Sequence, residues 1–174
     1  MTIYPPRARD VLVSVELMRR RHLPAVLRIE HRAHPRPWSL GVFTSELAQR
    51  EGRYYVVARV AGKIRGYGGL MFVADEAHVT NLAVTQALRR RHVGTRILCH
   101  LAAESTRRQC RAMTLEVRVS NAAAQQLYRK VGFVDAGLRR NYYSESGEDA
   151  LIMWLHELDS AGVQDRLREI EGAL

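Results

Sequence analysis

Residues Thr114–Phe133 read TLEVRVSNAAAQQLYRKVGF, a strand that becomes a helix in one step. Met113, Leu115, Val117 and Val119 alternate with Thr114, Glu116 and Arg118, the period of a strand with one apolar and one polar face. Asn121 stops that strand, because as an N-cap its side chain accepts a backbone N–H from the next turn. Ala124, Leu127, Tyr128 and Val131 then recur at helical spacing up to Gly132, a natural C-terminal stop. Glu116 reads either as a solvated strand carboxylate or as a base, and Tyr128 either as a core aromatic or as a working phenol. Spacing alone leaves both pairs open.

The same strand-to-helix pattern occurs upstream, where residues 78–101 read HVTNLAVTQALRRRHVGTRILCHL. His78–Val84 has the length and β-branched content of a strand, and Ile97, Leu98, Leu101 and Ala102 fall on one helical face. The turn between them holds Arg89, Arg90, Arg91 and Gly94. A strand feeding a helix through such a turn aims backbone N–H groups and a helix dipole at one spot, which suits pyrophosphate. An ordinary loop with exposed arginines is the competing reading.

Outward from these segments, Val11–Leu17 predicts a first strand, followed by helical patterns over His22–Ala33 and over Ser39–Arg50, the latter capped by Ser39. Tyr54–Val60 and Ile64–Val73 read as strands joined at Ala61-Gly62-Lys63, a hairpin signal. Phe133–Tyr143 and Ala150–Glu157 supply the last two strands. The order predicts an α/β mixed sheet with helices on its faces. From Ser160 to Leu174, Val163, Leu167 and Ile170 mark a short amphipathic helix that packs on its own domain or serves a partner. The chain divides into a domain over 1–158 and a helical tail over 159–174.

At 174 residues, 47% hydrophobic and 26% charged, the composition fits one globular domain with a sizeable core. Cys99 and Cys110 lack metal-ligand spacing and are expected to be reduced thiols, with no metal site. No apolar run is long enough to span a membrane, and MTIYPPRARD lacks a signal-peptide core, so a cytoplasmic protein is expected. The formal net charge of +9 gathers in clusters, Arg19-Arg20-Arg21, Arg89-Arg90-Arg91, Arg107-Arg108 with Arg111, and Arg139-Arg140. Each is either a solvated face or a surface for an anion.

LEVRVSNAAAQQLYRKVGF closely resembles the stretch that carries catalysis in the GNAT acetyltransferases and, within them, the RimI family of ribosomal-protein alanine N-acetyltransferases. Two further segments, IEHRAHPRPWS over Ile29–Ser39 and RRNYYSESGEDALIM over Arg139–Met153, carry the same resemblance. It runs from about Val15 to Leu155. It implies the acyl-CoA N-acyltransferase fold, a mostly antiparallel central sheet with helices on both faces, and acetyl-CoA as co-substrate. The family's pyrophosphate loop, Arg/Gln-x-x-Gly-x-Gly/Ala, aligns with Arg89, Arg90, Arg91, His92, Val93 and Gly94, with Thr95 next. Histidine at 92 replaces the first glycine, and its ring and tolerance of left-handed backbone suit a phosphate loop. Leu82, Ala83, Val84 and Asn121 match the family's other cofactor contacts.

The resemblance implies direct transfer of acetyl from a thioester to an α-amine. Glu116 removes the amine proton, directly or through water, and Tyr128 protonates the departing thiolate. Backbone N–H groups near Val84 stabilise the developing oxyanion. No acetyl-enzyme is expected. The implied acceptor is the N-terminal alanine of a small-subunit ribosomal protein, with Trp38, Asn141, Tyr142 and Tyr143 near its groove. Glu145, Glu148 and Asp149 either attract a basic peptide or form a solvated loop. A monomer or weak dimer is expected, with nucleic acid not the main ligand. Two alternatives stay open: acetylation of other protein N-termini, lysines or small amines on the same scaffold, and a basic RNA-binding or regulatory module with a degraded cofactor loop.

Overall fold

Arg53–Val60, RYYVVARV, is nearly continuous in apolar residues because it lies inside a sheet covered on both faces. The computed structural model describes residues 2–3 and 12–174, so Val11 of the expected first strand lies outside them, as does most of the MTIYPPRARD segment. One sheet holds β1 (Thr2–Ile3), β2 (Val13–Leu17), β3 (Arg53–Val60), β4 (Lys63–Val73), β5 (Glu76–Val84), β6 (Ala112–Arg118), β7 (Val134–Tyr143) and β8 (Glu148–Leu155). The spatial order is β1-β2-β3-β4-β5-β6-β8-β7. Of these neighbours, β5 and β6 run parallel and the other pairs antiparallel. The β3–β4 hairpin turns at Ala61 (φ 48°) and Gly62 (φ 73°), the two positive angles a tight twisted hairpin needs.

Helices α1 (Leu23–Ala33) and α2 (Leu40–Ala48) cover one face, and α3 (Val93–Arg107), α4 (Ala122–Val131) and α5 (Ala161–Ala173) the other. Alternate β3 residues divide between the two cores: Val56, Ala58 and Val60 join the α3 side, while Tyr55 and Val57 join the α1 side. Helix α3 lies close on β4 because Gly68 lacks a side chain; a Cβ there would stand 2.7 Å from Ile97 Cγ2. Ile97, Leu98, Leu101 and Ala102 are all fully buried, as their helical spacing predicts. The tail packs on its own domain, with Leu167, Ile170 and Leu174 in the α3-side core. Cys99 and Cys110 are free and buried.

The parallel junction positions the site. Only Glu76↔Ala112, Ala77↔Met113 and His78↔Thr114 pair across it, after which the strands part. Toward β4, Gly69 faces Asn81 while Leu70 faces Val79, leaving Thr80 as an extra residue in a bulge. A bulge bends its strand and increases the local twist, which turns the rest of β5 away from β6. Meanwhile β6 stays paired with β8 as far as Arg118. The result is a wedge open at the carboxyl ends of two parallel strands, the place where α/β sheets take ligands.

Candidate active site

The two walls of the wedge carry the residues singled out in the sequence. Thr85 donates its N–H to the Arg65 carbonyl of β4 at 2.8 Å. Antiparallel alternation then turns Ala83 toward β4 as well, and directs the backbone groups of Leu82 and Val84 into the wedge. On the opposite wall, Leu115 and Val117 enter the α3-side core, so Glu116 projects from the α1 side. Val119, expected to continue the alternation, lies beyond the end of β6 and is 48% exposed. There the chain is already turning into α4.

Tyr128 stands on the other face. It is buried in the α3-side core with its ring 5.8 Å from that of Phe133. Burial pushes its phenol well above the usual range, with a smaller contribution from Tyr143, so it holds its proton throughout neutral pH. A carboxylate on β6 and a protonated phenol on α4 thus lie on opposite faces of the sheet. Asn121 caps α4 by accepting the Ala124 N–H at 3.2 Å, which sets where that helix starts. Gln125 secures the junction by donating to the Arg118 and Val119 carbonyls at 3.1 and 2.9 Å.

At the end of β5 a single 3-10 turn over Gln86–Leu88 leads into the arginine loop. Arg89, Arg90 and Arg91 are exposed, and Arg90 (φ 59°) and His92 (φ 60°) both adopt left-handed backbone. His92 is the N-cap of α3, with no hydrogen bond from its side chain to the cap. Val93 and Thr95 point inward, 1% and 5% exposed, so their side chains anchor the first turn of α3. Gly94 has a packing duty: a Cβ there would meet Leu127 Cδ2 at 3.2 Å, so its absence lets α4 approach the start of α3. The loop and helix terminus fit a pyrophosphate group, through cationic side chains and first-turn N–H groups that have no intrahelical acceptor.

The expected acceptor residues divide into two groups. Trp38 lies in the α1–α2 connection, where its N–H donates to Glu30 Oε1 at 2.8 Å and its ring packs on Phe43 and Tyr55. Glu30 is itself buried and also accepts the Tyr67 hydroxyl. Asn141 (φ 52°), Tyr142 and Tyr143 lie at the end of β7, with the Asn141 N–H donated to Asp149 Oδ1 at 2.8 Å. Tyr142 is half-exposed, its ring 5.1 Å from Tyr143, and burial followed by the charge of Glu116 raises its phenol. Burial pushes Tyr143 up to about 12.

Two arginines in contact with these candidate residues escaped the sequence reading. Arg139 Nη2 lies 3.3 Å from Glu116 Oε1, reaching over β8 from the exposed edge strand. Arg118 stacks 3.8 Å over the Tyr143 ring and pairs with Glu145 and, at 2.9 Å, with Glu148. Hydrogen bonding from Ser120, reinforced by Arg118, pulls the Glu148 carboxyl down to about 2. The acidic group at 145–149 is therefore engaged internally, tying the β7–β8 hairpin to β6. Strand periodicity marks Arg118 only as a polar-face residue, and the Arg139 contact depends on a register that no local signal encodes.

The model of the acetyltransferase (GNAT) family matches residues 23–133. Among curated relatives, the Escherichia coli K12 [ribosomal protein bS18]-alanine N-acetyltransferase is 41% identical over 135 residues, covering 76% of this chain and 90% of that protein. Its namesake from Salmonella typhimurium is 37% identical over 146 residues, covering 82% and 96%. The crystal structure of the Escherichia coli ribosomal-protein-S18-alanine N-acetyltransferase superposes with a TM-score of 0.76 at 38% identity, covering 83% of this chain and 94% of that one.

Proposed function

The chain belongs to the acetyltransferase (GNAT) family, and from that membership we propose that it acetylates the N-terminal α-amine of a protein, with the alanine N-terminus of a small-subunit ribosomal protein as acceptor. The observation that carries this reading is the β5–β6 wedge, with Glu116 on one face of the sheet and Tyr128 on the other. Such a gap lets an acceptor amine and a thioester approach from opposite sides. The acceptor follows from the relatives' names, which specify a ribosomal-protein alanine.

Acetyl-CoA supplies the activated acyl group, held along Leu82, Ala83 and Val84, with its pyrophosphate on the loop from Arg89 to Thr95 and Asn121 beside it. An α-amine has a pKa of about 7.7–8.0, so most of it is protonated at neutral pH. Glu116 accepts that proton directly or through water, and Arg139 orients its carboxylate. Tyr128 holds the proton that the departing thiolate takes. The backbone N–H groups of Leu82 and Val84, turned into the wedge, donate where negative charge develops on the carbonyl oxygen. Trp38, Asn141, Tyr142 and Tyr143 line the acceptor side.

The test is intact-mass analysis of an alanine-initiated ribosomal peptide incubated with the protein and acetyl-CoA, beside the same peptide with a blocked N-terminus and a free lysine. One acetyl on the free N-terminus alone is expected. Acetylation of the blocked peptide would move the assignment to lysine or small-amine transfer, and modification of neither would remove it. Tyr142→Ala is expected to raise the peptide KM severalfold more than the KM for acetyl-CoA; equal changes would take Tyr142 out of the acceptor groove.

A further inference from the structure

Two of the arginine clusters, Arg19–Arg21 and Arg107–Arg108, separated by about half of the chain, converge at the end of the sheet away from the wedge. A cavity of about 740 Å³ opens between the end of β2, the start of β3 and the C-terminal ends of α2 and α3. A second, of about 390 Å³, adjoins it through the shared residues Leu17, Arg19 and Tyr54. Together they form a furrow lined by seven arginines and three glutamates. Helix α3 separates it from the arginine loop: fifteen residues at about 1.5 Å each put about 22 Å between the two ends.

The carboxylates do not neutralise this furrow. Glu46 pairs with Arg53 at 2.7 Å, Glu104 with Arg107 and Arg108 at 2.7 Å, and Glu16 with Arg59 at 2.6 Å. Arg19, Arg20 and Arg50 are exposed, line the same cavity and pair with no carboxylate among the described residues. Concave, partly apolar walls that include Leu17, Met18 and Leu47 strengthen the field of such cations, and the guanidinium fork matches phosphate oxygens. Tyr54, fixed by its hydroxyl contact with His100 Nε2 at 3.1 Å, adds a rigid aromatic wall between the two cavities. A merely solvated cluster requires no such convergence of β2, α2 and α3.

We propose that this furrow is a second anion site, separate from the acetyl-CoA cradle, which takes a phosphate-bearing ligand through Arg19, Arg20 and Arg50. A free polyphosphate group and the backbone of a single-stranded RNA present the same chemistry to it. The test is calorimetric titration of the full chain, in excess acetyl-CoA, with sodium tripolyphosphate and separately with hexauridylate, at about 50 and 200 mM salt. One equivalent of at least one probe is expected to bind. The combined Arg19→Gln, Arg20→Gln and Arg50→Gln variant is expected to weaken it about ten-fold or more, while Arg89→Gln with Arg91→Gln leaves it within about two-fold. The single Arg50→Glu variant, at an exposed position, should weaken binding in the same direction. Tripolyphosphate binding alone identifies a free phosphoanion, and RNA binding with the steeper salt dependence identifies a nucleic-acid backbone. Absence of binding by both probes, or a loss that follows Arg89 and Arg91 instead, overturns the proposal. The outcome does not depend on acetyl transfer, which the peptide assay reads separately.

Discussion

Glu116 and Tyr128 lie on opposite faces of the sheet, and their expected variant phenotypes differ accordingly. Glu116→Gln should lower kcat/KM for an N-terminal amine about 100-fold near neutral pH, and the deficit should shrink above about pH 8, where the amine deprotonates unaided. Tyr128→Phe should give a deficit that does not recover in the same way, because the role proposed for it falls on the leaving group. Steady-state pH profiles separate the two. At His92 the left-handed backbone favours glycine, so His92→Gly should be more stable to denaturant than His92→Ala by about 1 kcal/mol. Cys99, whose thiol burial pushes up to about 12, should resist alkylation near neutral pH until the protein unfolds. The placement of Glu116 and Tyr128 was legible because strand alternation puts Glu116 on the polar face and helical spacing gathers Tyr128 with the core, whereas the roles proposed for them rest on the family resemblance. The Arg139–Glu116 contact was not, because it joins two strands separated by β8.

Among elements, helix starts were the most readable. Asn121 and Ser39 cap α4 and α2 through short-range hydrogen bonds to Ala124 and Val42, which the local sequence specifies. Asn121→Ala should cost about 1 kcal/mol in a denaturation series. The bulge at Thr80 was unreadable, since VTNLAV has the composition of a regular strand and the extra residue appears only when β5 is aligned on β4. The acidic residues at 145–149 read as a lure for a basic peptide or as a solvated loop for a similar reason: Arg118, the partner of Glu145 and Glu148, comes from another strand. Glu148 also sets a pH window. Its folded carboxyl is held at about 2 against an ordinary 4.5, so it stabilises the hairpin fully above about 4.5 and loses that contribution as pH falls through 2. Amide exchange in β7 and β8 should therefore accelerate over that interval in the wild type, and Glu148→Gln should flatten the dependence.

For the molecule as a whole, the mixed sheet and its two helical layers follow from the order of periodic segments, but the relative placement of distant charges does not. The Arg19–Arg21 and Arg107–Arg108 clusters read separately, each as a solvated face or a surface for an anion, and meet only once β2 and α3 pack on the same sheet. The tail left two readings open, and burial decides between them: Ile170 is 9% exposed and sits in the α3-side core. Ile170→Ala should cost about 2 kcal/mol or more, seen as a lowered denaturation midpoint. The wedge suits direct transfer between two bound partners. Single-turnover intact-mass analysis tests it most directly, with the protein in excess over acetyl-CoA and an alanine-initiated peptide added at about pH 7. The expected result is acetyl on the peptide α-amine, never on the protein, at a rate that Glu116→Gln lowers about 100-fold. Acetylated protein appearing before acetylated peptide, or a Glu116→Gln variant as fast as wild type, would contradict direct attack assisted by Glu116.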